Sequence, residues 1–160
     1  MMDPITIILI TQTAIFTLTL IVLIIQVRKQ VLATRLEVYS KCEADYSSLL
    51  RMLTQQGQLR TIYDDLVKME PGTWKWETYS DREKILYNYF ELNYELVERV
   101  FVLAEMGWIE SETWKEWEVW LTEVCQHPIF RDVVEDTAGM FYSEFEKYIN
   151  EKLSNLLQNT

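Results

Sequence analysis

The sequence contains one long apolar stretch without a charge, ITIILITQTAIFTLTLIVLIIQV, from Ile5 to Val27. A helix over these residues would measure about 34 Å, enough to cross a hydrocarbon core of about 30 Å. Asp3 and Pro4 stand directly before it, as a helix N-cap followed by a proline at the first helical position. A basic leader and a small-residue cleavage site are both missing, which favours a retained helix over a cleaved signal peptide. We therefore predict an N-terminal transmembrane anchor over residues 1–27.

Basic side chains follow the apolar stretch. Arg28 and Lys29 come directly after it and Arg35 and Lys41 a little later, whereas no Lys or Arg precedes it. The positive-inside rule therefore predicts a single-pass protein with its N-terminus outside and its C-terminus in the cytoplasm. Because anionic lipid attracts basic residues near the membrane surface, we expect Arg28 and Lys29 to contact lipid headgroups.

Threonines interrupt the apolar stretch. Thr13 and Thr17 share a helical face with Thr6. A threonine hydroxyl in a membrane helix commonly donates to the carbonyl four residues earlier in its own helix. Alternatively, Thr13 and Thr17 contact another membrane helix, with a gain of about 0.6 kcal/mol for each hydrogen bond.

The apolar stretch is predicted to continue into a juxtamembrane helix over residues 28–56, because no Gly or Pro occurs before Gly57. One face of this helix carries apolar side chains at spacings typical of a coiled coil, here named the juxtamembrane seam: Leu36, Tyr39, Tyr46, Leu50 and Leu53. Glu43 interrupts the seam, and packing on the chain's own domain is the alternative to self-association. Together with Thr13 and Thr17 on the same helix, the seam predicts a homo-oligomer.

Residues 57–160 are predicted to form an acidic cytoplasmic α-helical domain, so the fold class is all-α. The capping box Ser80-Asp81-Arg82-Glu83 opens a helix that runs to Met106 and ends at Gly107. Apolar residues cover most of its circumference, which predicts the central helix of a bundle. Other helices are predicted over residues 59–69, 111–127 with Ser111 as its cap, 128–136 and 139–157.

Charge is distributed unevenly along the chain. The chain holds 15 Lys and Arg against 25 Asp and Glu, a net charge of −10. Residues 28–53 contain five basic and three acidic side chains, and residues 54–160 contain ten and 21. Since a nucleic-acid partner requires a basic surface, we exclude that class of function.

Candidate catalytic and metal-binding residues are few. Cys125 and His127 are close enough in sequence for a Cys–His pair, but a histidine that bonds a helix end is the favoured interpretation. Glu91, Glu95 and Glu98 share a helical face, for which a solvated surface is favoured over a carboxylate metal site. Nucleophile elbows, phosphate-binding glycine loops and dinucleotide fingerprints are missing from the sequence. We predict no enzyme, no cofactor and no metal.

Six tryptophans remain to be explained. Trp114 and Trp117 are predicted to lie in the core. Trp74, Trp76 and Trp120 either cover the edges of the core or form a partner-binding surface, since tryptophan is enriched among binding hot spots.

Three runs carry a resemblance to a known family: YFELNYELVERVFVLAEMGWIESETWKEWEVWL at 89–121, HPIFRDVVED at 127–136 and FYSEFEKYI at 141–149. They resemble a family of uncharacterised bacterial single-pass membrane proteins with a domain of unknown function. The resemblance covers about residues 85–149, and the family has an aromatic residue where Val133 and Val134 stand here. It implies a bacterial inner-membrane location and, for some relatives, a suspected role in phage defence. It implies no catalytic or ligand site.

These features predict a membrane-tethered, non-enzymatic interaction module, an accessory subunit or scaffold whose cytoplasmic bundle binds a protein partner. The alternative is a membrane-acting effector or pore-forming component of a phage-defence system. Thr and Gln side chains in the anchor favour this alternative, and a single anchor without a charged lining disfavours it. An enzyme would require a pocket that gathers Cys125, His127 and glutamates.

The predicted orientation can be tested by labelling a Thr160→Cys variant, in a background without Cys42 and Cys125, with a membrane-impermeant maleimide. Because the basic flank retains the C-terminus in the cytoplasm, we expect labelling only after the membrane is permeabilised. Labelling in intact cells would show that the C-terminus lies outside, opposite to the predicted orientation.

Overall fold

The computed structural model describes residues 3–55, 57, 60–61 and 79–158, and within these ranges it contains helices and no strand. The all-α prediction is therefore confirmed for this part of the chain. Contacts divide the chain into an N-terminal unit, Met1–Val38, and a C-terminal unit, Tyr39–Thr160. The described helices are α1 (Pro4–Gln55), α2 (Asp81–Glu105), α3 (Ser111–Cys125), α4 (Pro128–Asp136) and α5 (Ser143–Gln158).

Two predicted features fall outside the described residues. The helix predicted over 59–69 lies outside them except at residues 60 and 61, which are helical. Trp74 and Trp76, proposed as part of a partner surface, lie outside them entirely.

Helix α1 is uninterrupted from Pro4 to Gln55, so it includes both the apolar stretch and residues 28–55 of the predicted juxtamembrane helix. Its most apolar window has a mean hydropathy of 2.5, and none of the side chains in that window is buried. Among the described helices, α1 is the one long and apolar enough to cross a membrane. An apolar surface of this length exposed along a helix is typical of a segment that lies in lipid.

The last part of α1 belongs to the C-terminal unit. Cys42, Leu49 and Leu53 are buried there. The Asp45 carboxylate also accepts a charged hydrogen bond from Arg99 of α2 at 2.7 Å, between two half-exposed side chains. Residues 39–55 of α1 thus form part of the packed unit.

Helix α2 begins and ends where local sequence signals predict. Ser80 N–H donates to Glu83 Oε2 at 2.6 Å, and Glu83 N–H donates to Ser80 Oγ at 3.4 Å, which completes the capping box. At the other end Gly107 adopts φ +65°, a left-handed conformation that stops the helix and that residues other than glycine rarely adopt. Trp108 N–H then donates back to the Leu103 carbonyl at 2.8 Å.

The core is assembled around α2, which contacts α3, α4 and α5, as expected for the central helix. The Tyr94 ring lies 5.7 Å from that of Phe130 in α4 and 5.0 Å from that of Phe145 in α5. Polar bonds supplement this packing, since Tyr79 Oη–H donates to Asp132 at 2.6 Å and Tyr87 Oη–H donates to Asp136 at 3.2 Å. The buried residues of α2 are Leu86, Tyr87, Tyr89, Phe90, Asn93, Tyr94, Leu96, Val97, Val100, Phe101 and Leu103.

The buried face of α2 is narrower than its apolar composition suggests. Ile85 and Leu92 are exposed, whereas the polar Asn93 is fully buried. Asn93 Nδ2 donates to the Tyr89 carbonyl one turn earlier, so the helix itself satisfies the amide nitrogen. The buried Oδ1 of the same side chain has no hydrogen-bond partner among the described residues.

Two predicted helix starts are wrong. Ser111 is the first residue of α3 and does not cap it, because the Glu110 carbonyl accepts the first helical bond, from Trp114 N–H at 3.0 Å. The last helix begins at Ser143 rather than at Gly139, which adopts φ +83°. The Glu146 carboxylate instead accepts the N–H groups of Gly139, at 2.8 Å, and Phe141, at 3.2 Å, and so fixes the preceding turn.

We expect Leu96→Ala to lower the free energy of unfolding by about 2–5 kcal/mol, because the side chain is 0% exposed at the centre of α2. The matched control is Leu92→Ala on the same helix, where the side chain is 42% exposed and the loss should stay below about 1 kcal/mol. Denaturant unfolding of the detergent-solubilised chain, followed by far-UV circular dichroism, measures both. Equal losses of unfolding free energy in the two variants would contradict the central position of α2.

Candidate functional site

Cys125 and His127 serve the structure of the α3–α4 junction. His127 is the N-cap of α4, and its Nδ1 accepts the Ile129 N–H at 3.3 Å, which confirms the interpretation as a helix-end histidine. Its ring packs against Phe90, with centroids 4.5 Å apart. The Cys125 side chain is 0% exposed, and burial raises the pKa of its thiol to about 12. A reactive nucleophile requires the opposite conditions, exposure and a low thiol pKa.

Glu91, Glu95 and Glu98 line a surface depression beside Phe141. The Glu98 carboxylate accepts the Tyr142 N–H at 2.6 Å, so one member of this face fixes the turn before α5. Among the described residues, no group of three or more His, Cys, Asp or Glu side chains is placed to hold a metal ion.

A third feature is a solvent-open groove of about 450 Å³ within the C-terminal unit, between α1 and α3. We name it the aromatic groove. Four of its side chains are aromatic and two are carboxylates; it is lined by Tyr39, Glu43, Tyr46, Ser47, Glu116, Trp117 and Trp120.

Three rings of the aromatic groove meet edge to face. The Tyr46 centroid lies 5.3 Å from that of Trp117 and 5.1 Å from that of Trp120, with interplanar angles of 64° and 78°. The two indoles lie 5.6 Å apart at 83°. This arrangement is the favoured one for ring quadrupoles, and it turns the three ring faces in different directions. Trp117 Nε1–H also donates to Tyr39 Oη at 3.4 Å, which fixes a fourth ring beside them.

The charge of the groove comes from its glutamates. Burial raises the pKa of Tyr39, and a hydrogen bond with Glu43 raises it further, against the opposing effect of Trp117. Burial, together with the charge of Glu123, also raises the pKa of Tyr46. Both phenols are therefore neutral at physiological pH. No Lys or Arg is among the described residues that line the groove, so Glu43 and Glu116 make it anionic.

The juxtamembrane seam is divided between two environments. Tyr39 and Tyr46 line the aromatic groove, and Leu53 is buried in the C-terminal unit. Leu36 and Leu50 are exposed, at 63% and 38%. The part of the seam near α3 thus packs on the chain's own unit, and self-association through the exposed leucines stays a prediction.

In the apolar part of α1, Thr13 Oγ1–H donates to the Leu9 carbonyl and Thr17 Oγ1–H donates to the Thr13 carbonyl, each at 2.8 Å. These are the bonds within the helix that the first interpretation predicted. Contact between membrane helices at these residues stays a prediction. Arg28 and Lys29 are exposed on α1, and their contact with lipid headgroups also stays a prediction.

The sequence pointed to all four of the groove's aromatic residues but did not bring them together. Tyr39 and Tyr46 were assigned to the seam and Trp117 to the core, where it is indeed buried. Trp120, proposed for a partner surface, is half-buried and lines the groove. Two helical spacings in the sequence indicate the two walls of the groove. Tyr39, Glu43 and Tyr46 share one face of α1, and Glu116 and Trp120 share one face of α3.

No protein-family model matches the chain, and no curated protein or solved structure is significantly similar to it. Membership of the bacterial single-pass family therefore stays a prediction. The geometry of the described residues carries the functional argument.

We expect both native thiols to resist Ellman's reagent at pH 7.5. Cys42 and Cys125 are buried, and burial raises both thiol pKa values, so little of the reactive thiolate is present or accessible. Absorbance measured after mixing should report two reactive thiols in guanidinium chloride and none on the same timescale in the folded, detergent-solubilised chain. Fast reaction of Cys125 in the folded chain would restore the Cys–His pair as a catalytic candidate.

Proposed function

We propose that this chain is a membrane-tethered interaction module, an accessory subunit or scaffold, whose helical bundle binds a protein partner in the cytoplasm. The tether is the apolar part of α1, whose exposed side chains would be covered by lipid. The exposed Arg28 and Lys29 directly after it support contact with anionic headgroups and a single-pass orientation with the C-terminus inside.

The aromatic groove is the observation that carries the proposal. Trp120, Tyr39 and Tyr46 are half-buried, so each leaves part of its ring accessible. Partly accessible Trp and Tyr side chains supply much of the binding energy at protein interfaces, since large rings lose little conformational entropy on contact. A groove with three such rings beside the buried Trp117 supports insertion of a side chain from a partner.

The proposal of a non-enzymatic role rests on how the chemically capable residues are used. His127 caps α4, and Cys125 is buried with a thiol pKa near 12. Glu98 and Glu146 bond backbone N–H groups of the turn before α5. Each of these groups therefore has a structural role.

Self-association of the tether is part of the proposal. Leu36 and Leu50 are exposed on α1 and lie two heptads apart, as residues of one coiled-coil seam do. The hydroxyl oxygens of Thr13 and Thr17 retain acceptor capacity beyond the bonds they donate. Leu36 and Leu50 flank Tyr39 and Tyr46 on this face of α1, so the contact between copies and the partner in the groove would use neighbouring surfaces.

The proposed function can be tested by photo-crosslinking in native membranes. The photoreactive residue p-benzoylphenylalanine replaces Ser47, which lines the groove, or Ser143, an exposed control at the start of α5. We expect a discrete crosslinked product from position 47 that is absent from position 143. Adding Trp120→Ala to the probe chain should remove most of that product, because the substitution deletes one wall of the groove.

The mass of the product identifies the partner class. A product whose mass exceeds that of the chain by the mass of a different protein, and is not a multiple of the chain's own mass, supports a protein partner. A product of twice that mass would make the groove a contact between copies, and identical patterns from both positions would contradict a partner at the groove.

A further inference from the structure

We propose that the aromatic groove receives an arginine side chain presented by an exposed segment of the protein partner. This inference rests on the proposed function and specifies the chemistry that the groove recognises. Three observations carry it: the arrangement of the rings, the position of the carboxylates, and the size of the groove.

The rings supply an electronegative lining. The rings of Tyr46, Trp117 and Trp120 meet edge to face with centroids 5.1–5.6 Å apart, so their faces point in different directions. A cation within about 6 Å of such a face is attracted by the ring quadrupole, most strongly by that of tryptophan. A neutral apolar side chain would gain burial here but would leave this electrostatic attraction unused.

The carboxylates select for positive charge. Glu43 on α1 and Glu116 on α3 are exposed and line the groove from its two helices. No described basic residue lines the groove to neutralise them. The excess of acidic residues, 25 against 15 basic ones in the chain, adds a long-range attraction for a basic segment.

Arginine fits this combination better than lysine does. A guanidinium is planar and weakly hydrated, stacks on an indole, and donates paired N–H groups to a carboxylate. An ammonium is compact and strongly hydrated and cannot stack. The groove volume of about 450 Å³ lies within the range for ligand pockets, so it has room for an arginine side chain.

The test uses the full chain in an uncharged maltoside detergent, with ¹⁵N-labelled tryptophan. Indole N–H signals are assigned by single Trp→Phe variants and followed during titration with acetyl-Gly-Arg-Gly-amide. We expect saturable shifts of the Trp117 and Trp120 signals, but not from the matched peptide that carries citrulline, the uncharged analogue of arginine. Added salt should weaken the binding, because the carboxylates are exposed.

Charge variants assign the binding to the groove. Glu43→Gln combined with Glu116→Gln should raise the Kd for the arginine peptide about fivefold, as expected for the loss of two exposed ion pairs. The control pair Glu95→Gln and Glu151→Gln changes the net charge equally at exposed positions outside the groove and should leave the Kd unchanged. Trp120→Ala should raise the Kd about tenfold, because the cation–π contact is lost. If this variant misfolds, the Glu43→Gln and Glu116→Gln pair still tests the groove, because it leaves the rings in place.

Equal shifts from the arginine and citrulline peptides, or an unchanged Kd in the Glu43 and Glu116 variant, would overturn the proposal. Tighter binding of tetramethylammonium than of the arginine peptide would also overturn it, in favour of a quaternary ammonium headgroup. If position 47 gives the groove-specific crosslink but the chain does not bind the arginine peptide, the arginine site is refuted and the proposed function remains intact. Binding of the arginine peptide without such a crosslink would support the site alone.

Discussion

Burial of one face of α2 is the constraint on which the C-terminal unit depends. Helices α3, α4 and α5 all contact α2, and its side chains Leu86, Phe90, Leu96, Val97 and Val100 are fully buried. Helix α3 packs through Leu121 and Val124, which lie about one and two turns after Trp117 on the same side of the helix. The packing of α3 therefore fixes the backbone that carries Trp117 and Trp120, and the buried Trp117 links the aromatic groove to the core.

Helix ends were predictable where the signal is local. The capping box at Ser80 and Glu83 and the left-handed Gly107 depend on residues within one turn of each other, so the sequence suffices to locate them. The groove was not predictable in the same way. Tyr39 and Trp117 are 78 residues apart, and an aromatic residue on an amphipathic helix has the same pattern whether it meets its own chain, another copy or a partner. The exposure of Leu92 beside the burial of Asn93 shows the same limit, because composition does not specify which neighbouring helix covers each face.

Polar residues that suggest chemistry in the sequence mostly satisfy backbone groups in the fold. His127 accepts an N–H at the start of α4, Glu83 accepts one at the start of α2, and Glu146 accepts two in the turn before α5. A helix end exposes donors without partners, and a carboxylate or imidazole nearby removes that cost. In an acidic, histidine-poor chain these structural roles account for several of the groups from which an active site would be built.

The walls of the aromatic groove come from two separate stretches of the chain, and one of them lies on the same helix as the apolar segment. Tyr39, Glu43 and Tyr46 precede the predicted start of the domain at residue 57, yet they belong to the packed C-terminal unit. A chimera that joins this unit to the membrane helix of an unrelated protein would therefore retain the groove only if the junction lies before Tyr39. The same reasoning applies to recombination between genes: an exchange after Tyr46 would preserve every residue of α2 to α5 and still remove Tyr39, Glu43 and Tyr46 from the lining of the groove.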